Sequence, residues 1–209
     1  MKLTWLGHSC FKVEKGDFIV ILDPYADGSV PGLASIRERA NLVLCSHEHN
    51  DHNYRDGIGL WEAEENPFTV EQMNTYHDDA KGERRGENQI TILGDGETRL
   101  AHMGDLGCEP EPEQLEQLKG VDVLLLPVGG HYTIDAAQAA DLVKKIEPRI
   151  VVPMHYRDDE EGFGFDVLGK VEEFLEKMDS IKKEAGSELE TDEAQEAQVI
   201  VLRPRNLLD

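Results

Sequence analysis

Short apolar runs separated by turn residues set the first expectation for this chain. Residues 2–6 and 10–14 read as strands on either side of Gly7-His8-Ser9. Lys15-Gly16-Asp17 is a hairpin signal before the apolar run 18–22, so the chain opens as a β-meander. Asp23-Pro24 ends that run, because proline lacks the N–H a continuing ladder needs and restricts the residue before it. A loop rich in glycine and proline over 25–32 precedes an expected helical turn at 33–39. The apolar run 41–45 has the character of a strand buried on both faces, and the runs 121–126 and 150–152 repeat it. Each leads into a polar or glycine-containing loop: SHEHNDHN, then Pro127-Val128-Gly129-Gly130-His131, then Pro153-Met154-His155-Tyr156. The carboxyl ends of buried strands are where α/β sheets gather ligands, and the site is expected there.

Between these runs, residues 67–76 form an extended segment ending at His77-Asp78-Asp79, and Gly94-Asp95-Gly96 joins strands over 88–93 and 97–102. Helices are expected over 113–118 and 135–146, the second with Ala, Leu, Val and Ile on one face and Gln, Asp and Lys on the other. A further amphipathic helix is expected over 165–178, then an acidic, mobile surface segment over 184–198 and a last strand over 199–202. The pattern is that of an α/β protein without tandem repeats.

Length and charge narrow the function classes. With 209 residues the chain has room for one sizeable core, as a single domain over 1–209 or two closely fused halves. Its 43 acidic against 21 basic residues give a net charge of −22, which disfavours nucleic acid, an anionic membrane surface and hence a nuclease activity. Cys10, Cys45 and Cys108 are odd in number and lack a CxxC spacing, so neither a disulfide framework nor a zinc ribbon is expected. With no signal-peptide pattern and no apolar stretch of membrane length, the expected location is the cytoplasm.

The chemistry gathers in residues 46–53, where His47, His49, Asp51 and His52 fall within six consecutive positions. Imidazoles suit zinc and its first-row neighbours, and a carboxylate adds a hard negative donor. In a turning loop, His47 and His49 can face one cation while Asp51 and His52 face another, as a two-metal hydrolytic site requires. Further donors at strand ends are His77, Asp105 in HMGDLG and His155.

This series, with the segments GHSCF, LDP, YHDDAKGERRGEN, PVGGHYTID and VVPMHY, resembles the metallo-β-lactamase superfamily, in particular a branch of small hydrolases akin to the ascorbate-phosphate lactonase-like proteins. The resemblance implies a four-layer αβ/βα sandwich. It also implies that His47, His49 and His77 bind one metal, that Asp51, His52 and His155 bind a second, and that Asp105 bridges them. Two divalent cations are expected, zinc first, with manganese or iron as alternatives. His102, three residues before Asp105, competes with His77 for its place but is expected to support a ligand instead. His8 is assigned a packing or supporting role, Asp23 either orients a ligand or caps a turn, and Cys108 is read as a buried reduced thiol.

The implied reaction is hydrolysis by a metal-bound hydroxide, with Asp51 and Asp105 holding it in line and Tyr156 and His131 as candidate proton donors or substrate contacts. A small, anionic ester, lactone or phosphodiester is the expected substrate class. Two other readings stay open: redox chemistry at di-iron, and a module that binds a metabolite without turning it over.

Overall fold

The computed structural model describes residues 1–63, 65–192 and 198–208. Its strands, in chain order, are β1 (Lys2–Gly7), β2 (Cys10–Lys15), β3 (Phe18–Leu22), β4 (Arg39–Ala40), β5 (Leu42–Leu44), β6 (Gly59–Leu60), β7 (Thr69–Tyr76), β8 (Glu87–Gly94), β9 (Arg99–His102), β10 (Val123–Pro127), β11 (Ile150–Met154), β12 (Ile181–Lys183), β13 (Glu188–Glu190) and β14 (Val199–Val201). The helices are α1 (Pro112–Leu118), α2 (Ala136–Ile146) and α3 (Val171–Leu175).

The strands form one sheet in the order β13-β1-β2-β3-β5 and a second in the order β12-β14-β11-β10-β9-β8-β7, with β4 and β6 paired apart from both. The opening meander is antiparallel, Trp5 facing Phe11 across β1 and β2 and Val13 facing Val20 across β2 and β3. β9, β10 and β11 are mutually parallel, which obliges α1 and α2 to act as crossovers. Every residue of β10 and β11 is buried, as their unbroken apolar runs require of strands covered on both faces. One hydrophobic cluster takes in Trp5 and Phe11 of the first sheet and Leu124 and Val151 of the second. α2 lays Ala139, Ala140, Val143 and Ile146 into that cluster. Its start is fixed by Asp135, whose carboxylate accepts the N–H groups of Ala137 and Gln138 at 2.9 Å each, while the Gln138 side chain accepts the Asp135 N–H at 3.0 Å.

Three expectations are corrected. Residues 33–38 carry no helix. Leu33 bridges Leu207 and the Ala34 N–H donates to the Asn206 carbonyl at 2.7 Å, so pairing with the distant end of the chain outweighs local helix propensity. The helix expected over 165–178 shrinks to Val171–Leu175. Its first turn is lost because the Gly169 N–H donates to the Gly129 carbonyl at 2.7 Å and Lys170 bridges Arg157, which draws Phe165 toward the histidine loops. In the segment expected to be mobile, Glu188–Glu190 is an edge strand on β1, with Leu189 buried opposite Leu3 and Glu188 within 3.0 Å of Lys2 Nζ. Residues 193–197 of that segment lie outside the described residues.

Candidate metal centre

Four strand ends and one tight turn bring the site together. β5 of the first sheet runs into His47, His49, Asp51 and His52, while β7, β9 and β11 of the second run into His77, Asp105 and His155. The histidine loop curls because the His52 and Asn53 N–H groups both donate to the His49 carbonyl at 2.9 Å. His8 sits in the β1–β2 turn with φ at 54°.

Asp105 is the focus of the arrangement. Its Oδ2 lies 3.1 Å from Nε2 of His52, 3.1 Å from that of His155, 3.3 Å from that of His77 and 3.9 Å from that of His47. Around it, donor atoms within 4.8 Å of one another fall into three overlapping groups: His47, His49 and His77; His8, Asp51, His52 and His155; and Asp23, His47 and His52. All seven sequence-assigned donors are therefore neighbours, and His8 joins them. His8 Nε2 is 3.4 Å from Asp51 Oδ2, and its ring centroid is 4.2 Å from that of His155. That 3.4 Å is longer than a normal hydrogen bond, roughly 2.7–3.2 Å, and leaves His8 beside Asp51 as a supporting neighbour.

Do these residues fit a metal? Nε2 of His47 and of His52, Oδ1 of Asp105 and both ring nitrogens of His8 are buried without a hydrogen-bond partner among the described residues. Orphaned buried polar atoms of this kind are costly unless a further group satisfies them. Burial, helped by the neighbouring imidazoles, pushes His47 down to about 3 and His8 down to about 4, which leaves both rings neutral and able to donate a lone pair. Burial also opposes charge on His52, but Asp105 and Asp23 outweigh it and hold its pKa well above the ordinary value. Asp105 is conversely held well below the carboxylate range by His155 and His52 against the effect of its burial. A bound cation would take the place of the proton on His52. The donor set fits one or more divalent cations.

The residues behind the donors fix their orientation. Asp23, almost fully buried, accepts the Ser46 N–H at 2.7 Å, the Ser46 hydroxyl at 2.5 Å and the His52 Nδ1–H at 2.8 Å. The Ser46 hydroxyl in turn lies 2.9 Å from His47 Nδ1, so one carboxylate aims two imidazoles through their far nitrogens. Asn88 accepts the Asp105 N–H at 2.9 Å and donates to Thr75 Oγ1 and the Met103 carbonyl. His102 stands apart from the donors: its Nδ1 accepts the Gly104 N–H at 3.1 Å, so its Nε2–H donates to the Ser9 carbonyl at 2.8 Å. Gly107 has no room for a side chain, since a Cβ there would come within 2.2 Å of the His77 carbonyl carbon.

Above the donors lies an open cleft of about 270 Å³ lined by His49, Asp51, His77, Arg85, Asp105, Tyr132 and Phe165. Two candidates for contact with substrate are not among these. Tyr156 is buried against Trp5 and Phe163, both at 5.6 Å between ring centroids, and lines a separate depression with Asp158 and Arg203. It follows His155, whose φ of 52° turns the chain after β11, and its ring lies in the aromatic core. His131 is exposed, its ring edge-on to Tyr132 at 4.5 Å, and the neighbouring Tyr132 takes the cleft position instead. Cys108 is half exposed rather than buried, and all three cysteines are free. Sequence reasoning missed Tyr132 and Phe165. The one sits next to a more conspicuous histidine, and the other lay in a segment read as helix.

The beta-lactamase superfamily domain matches residues 2–155, which span the histidine loop, Asp105 and His155. The chain belongs to the beta-lactamase superfamily. A UPF0173 protein of Pyrococcus furiosus is 34% identical over 182 residues, covering 75% of this chain and 83% of that one. A UPF0173 metal-dependent hydrolase of Desulforamulus reducens is 28% identical over 192 residues, covering 75% and 84%. Among solved structures, a Thermotoga maritima protein of the metallo-beta-lactamase superfamily, with a proposed zinc-dependent hydrolase activity, aligns with a TM-score of 0.74 at 28% identity over 96% of this chain and 97% of that one. The metallo hydrolase Igni18 from Ignicoccus hospitalis aligns with a TM-score of 0.59 at 25% identity over 84% and 89%. The two mixed sheets and their few helices are thus the metallo-β-lactamase fold, an αβ/βα sandwich, and this superfamily member falls among its metal-dependent hydrolases. Among the described residues no helix is long and apolar enough to cross a membrane.

Proposed function

We propose that the chain is a single-domain cytoplasmic hydrolase that cleaves a small ester, lactone or phosphodiester with the help of two divalent cations, zinc first among them. The observation that carries this reading is the convergence of His47, His49, His77, Asp51, His52 and His155 on Asp105, with buried donor atoms that no protein group satisfies. His47, His49 and His77 would hold one cation and Asp51, His52 and His155 the other, with Asp105 between the two sets. When bound, such cations lower the pKa of a coordinated water toward neutrality and polarise the scissile group.

The chain's own residues supply placement. Asp51, partly exposed at the cleft, is kept ionised against its burial by His8 and His52, so it offers a fixed negative acceptor that can orient an attacking water. Asp23 and Ser46 keep His52 and His47 in the tautomer whose Nε2 faces the cleft floor. Tyr132 is the hydroxyl-bearing side chain lining the cleft and stands as the candidate donor to a leaving oxygen. The cleft is smaller than the roughly 300–1,000 Å³ of drug-sized pockets, which favours a small molecule over a polymer, and the charge of −22 disfavours nucleic acid.

The test is metal analysis of the purified protein joined to chelation and readdition, with turnover followed on a panel of lactones, esters and phosphodiesters. Two cations per chain and hydrolysis that disappears and returns with them are expected. Cations retained without turnover on any substrate class would leave a metabolite-binding module, and metal-independent turnover would refute the proposal.

A further inference from the structure

Two adjacent arginines in the loop after β7 behave differently. Arg84 is exposed and paired with Asp79 at 3.1 Å. Arg85 is half buried, lines the cleft beside His49, Asp51 and His77, and has its guanidinium carbon 5.4 Å from the centre of the Tyr132 ring. In a chain with 43 acidic residues, Arg85 has no carboxylate within ion-pairing distance among the described residues, nor any hydrogen bond from its side chain. A guanidinium stacked on an aromatic face keeps its edge, with its fork of N–H donors, free for a planar oxyanion.

The loop is built to hold that position. The buried carboxylate of Asp78 accepts four backbone N–H groups, from Ala80 at 2.8 Å, Gly82 at 2.9 Å, Arg84 at 3.0 Å and Arg85 at 2.7 Å. The loop closes on the His77 backbone, whose N–H donates to the Gly86 carbonyl at 3.1 Å. Arg85 is therefore fixed relative to a donor of the metal centre. On the far wall, Phe165 stands edge-on to Tyr132, with centroids 6.3 Å apart.

We infer that Arg85, seated on Tyr132 and faced by Phe165, is the specificity determinant of the cleft, selecting substrates that carry a carboxylate or phosphate next to an apolar or planar segment. This rests on the hydrolase reading for its link to turnover, but not for binding. The anionic group docks on the Arg85 fork, the apolar segment lies against the two rings, and the scissile bond is carried down toward Asp51 and Asp105. Lysine would not replace Arg85 fully, because an ammonium neither stacks nor forks.

The experiment measures binding of benzoate, phenyl phosphate and neutral benzyl alcohol to the metal-loaded protein by calorimetry, in wild type, Arg85→Gln and Arg85→Lys. Metal content and thermal midpoint are recorded for each. Arg85→Gln is expected to lower the preference for the two anions over the alcohol by about tenfold or more, the scale of a charged hydrogen-bonded pair, with Arg85→Lys in between and metal content unchanged. Unequal loss for benzoate and phenyl phosphate would name which anion the fork prefers. A preference ratio unchanged in both variants would overturn the inference, as would a loss explained by lost metal. Arg85-dependent binding without hydrolysis of any carboxylated or phosphorylated ester would sink the hydrolase reading and leave the subsite. Hydrolysis with a KM for anionic esters indifferent to Arg85 would do the reverse.

Discussion

Replacing Asp23 by alanine tests the metal centre through a carboxylate whose oxygens are engaged by Ser46 and His52. The carboxylate of Asp23 accepts three hydrogen bonds, two from Ser46 and one from His52, and is almost fully buried. Without it the His52 ring loses the partner that fixes its rotation and tautomer, and the Ser46 hydroxyl no longer has an acceptor to hold it toward His47 Nδ1. Supporting carboxylates of this kind are worth about 10–100-fold in metal affinity, or about 1.4–2.7 kcal/mol. Because Asp23 serves one imidazole in each donor group, Asp23→Ala weakens both groups, and a Ser46→Ala change in the same background adds less than it does alone. Asp23→Asn keeps one acceptor oxygen and the shape of the side chain, so its loss is smaller. Competition against a chromophoric chelator gives the affinities, and thermal unfolding with and without chelator separates them from stability. A folded Asp23→Ala protein with wild-type affinity would refute the claim that Asp23 aims His52 and His47.

Two further outcomes follow from the same geometry. His8→Ala removes the donor 3.4 Å from Asp51 and is expected to weaken the group of Asp51, His52 and His155 by about tenfold or more, read as a selective loss in a two-phase cobalt titration; equal loss in both phases, or none, would show that His8 only packs. Gly107→Ala sets a methyl against the His77 backbone, which cannot swing aside as a side-chain tip could. It should cost about 1–3 kcal/mol and lower metal occupancy in step, whereas a stable variant with full metal content would show that the loop yields freely.

The histidine loop and His155 were legible in the sequence because each follows an apolar run that marks a strand, whereas His77 follows the largely exposed β7 and was found through the resemblance of its YHDD segment. His77 and His102 were harder to separate, since one follows a strand and the other ends one only three residues before Asp105. What divides them is two neighbours that sequence spacing does not reveal, the Ser9 carbonyl and the Gly104 N–H, which occupy both ring nitrogens of His102. The same limit explains His8. Its turn between β1 and β2 was read correctly, but only the approach of the two sheets carries the ring to within 4.2 Å of His155. The errors at 33–38, Phe165 and Glu188–Glu190 share one cause. In each, a backbone partner far along the chain, Asn206, Gly129 or β1, decides a conformation that local pattern left open.

The donors also divide between the sheets, and that division has an energetic consequence. His8 and the histidine loop belong to the first sheet, while His77, Asp105 and His155 belong to the second. Cations held between them would bind only when the two sheets are docked, so loading the centre and packing the sheets are one equilibrium. A cation present at 100 times its dissociation constant adds about 2.7 kcal/mol per site to the folded state, a large share of the roughly 5–15 kcal/mol that domains possess. Without cations, the docked sheets enclose orphaned imidazole nitrogens and a His52–Asp105 pair whose desolvation opposes folding. The residues that make the site reactive are thus those that make the metal-free fold least stable. The anchors at Asp23, Asn88 and Asp78, which spend their hydrogen bonds on neighbouring backbone and side chains, keep the donors in place until a cation arrives.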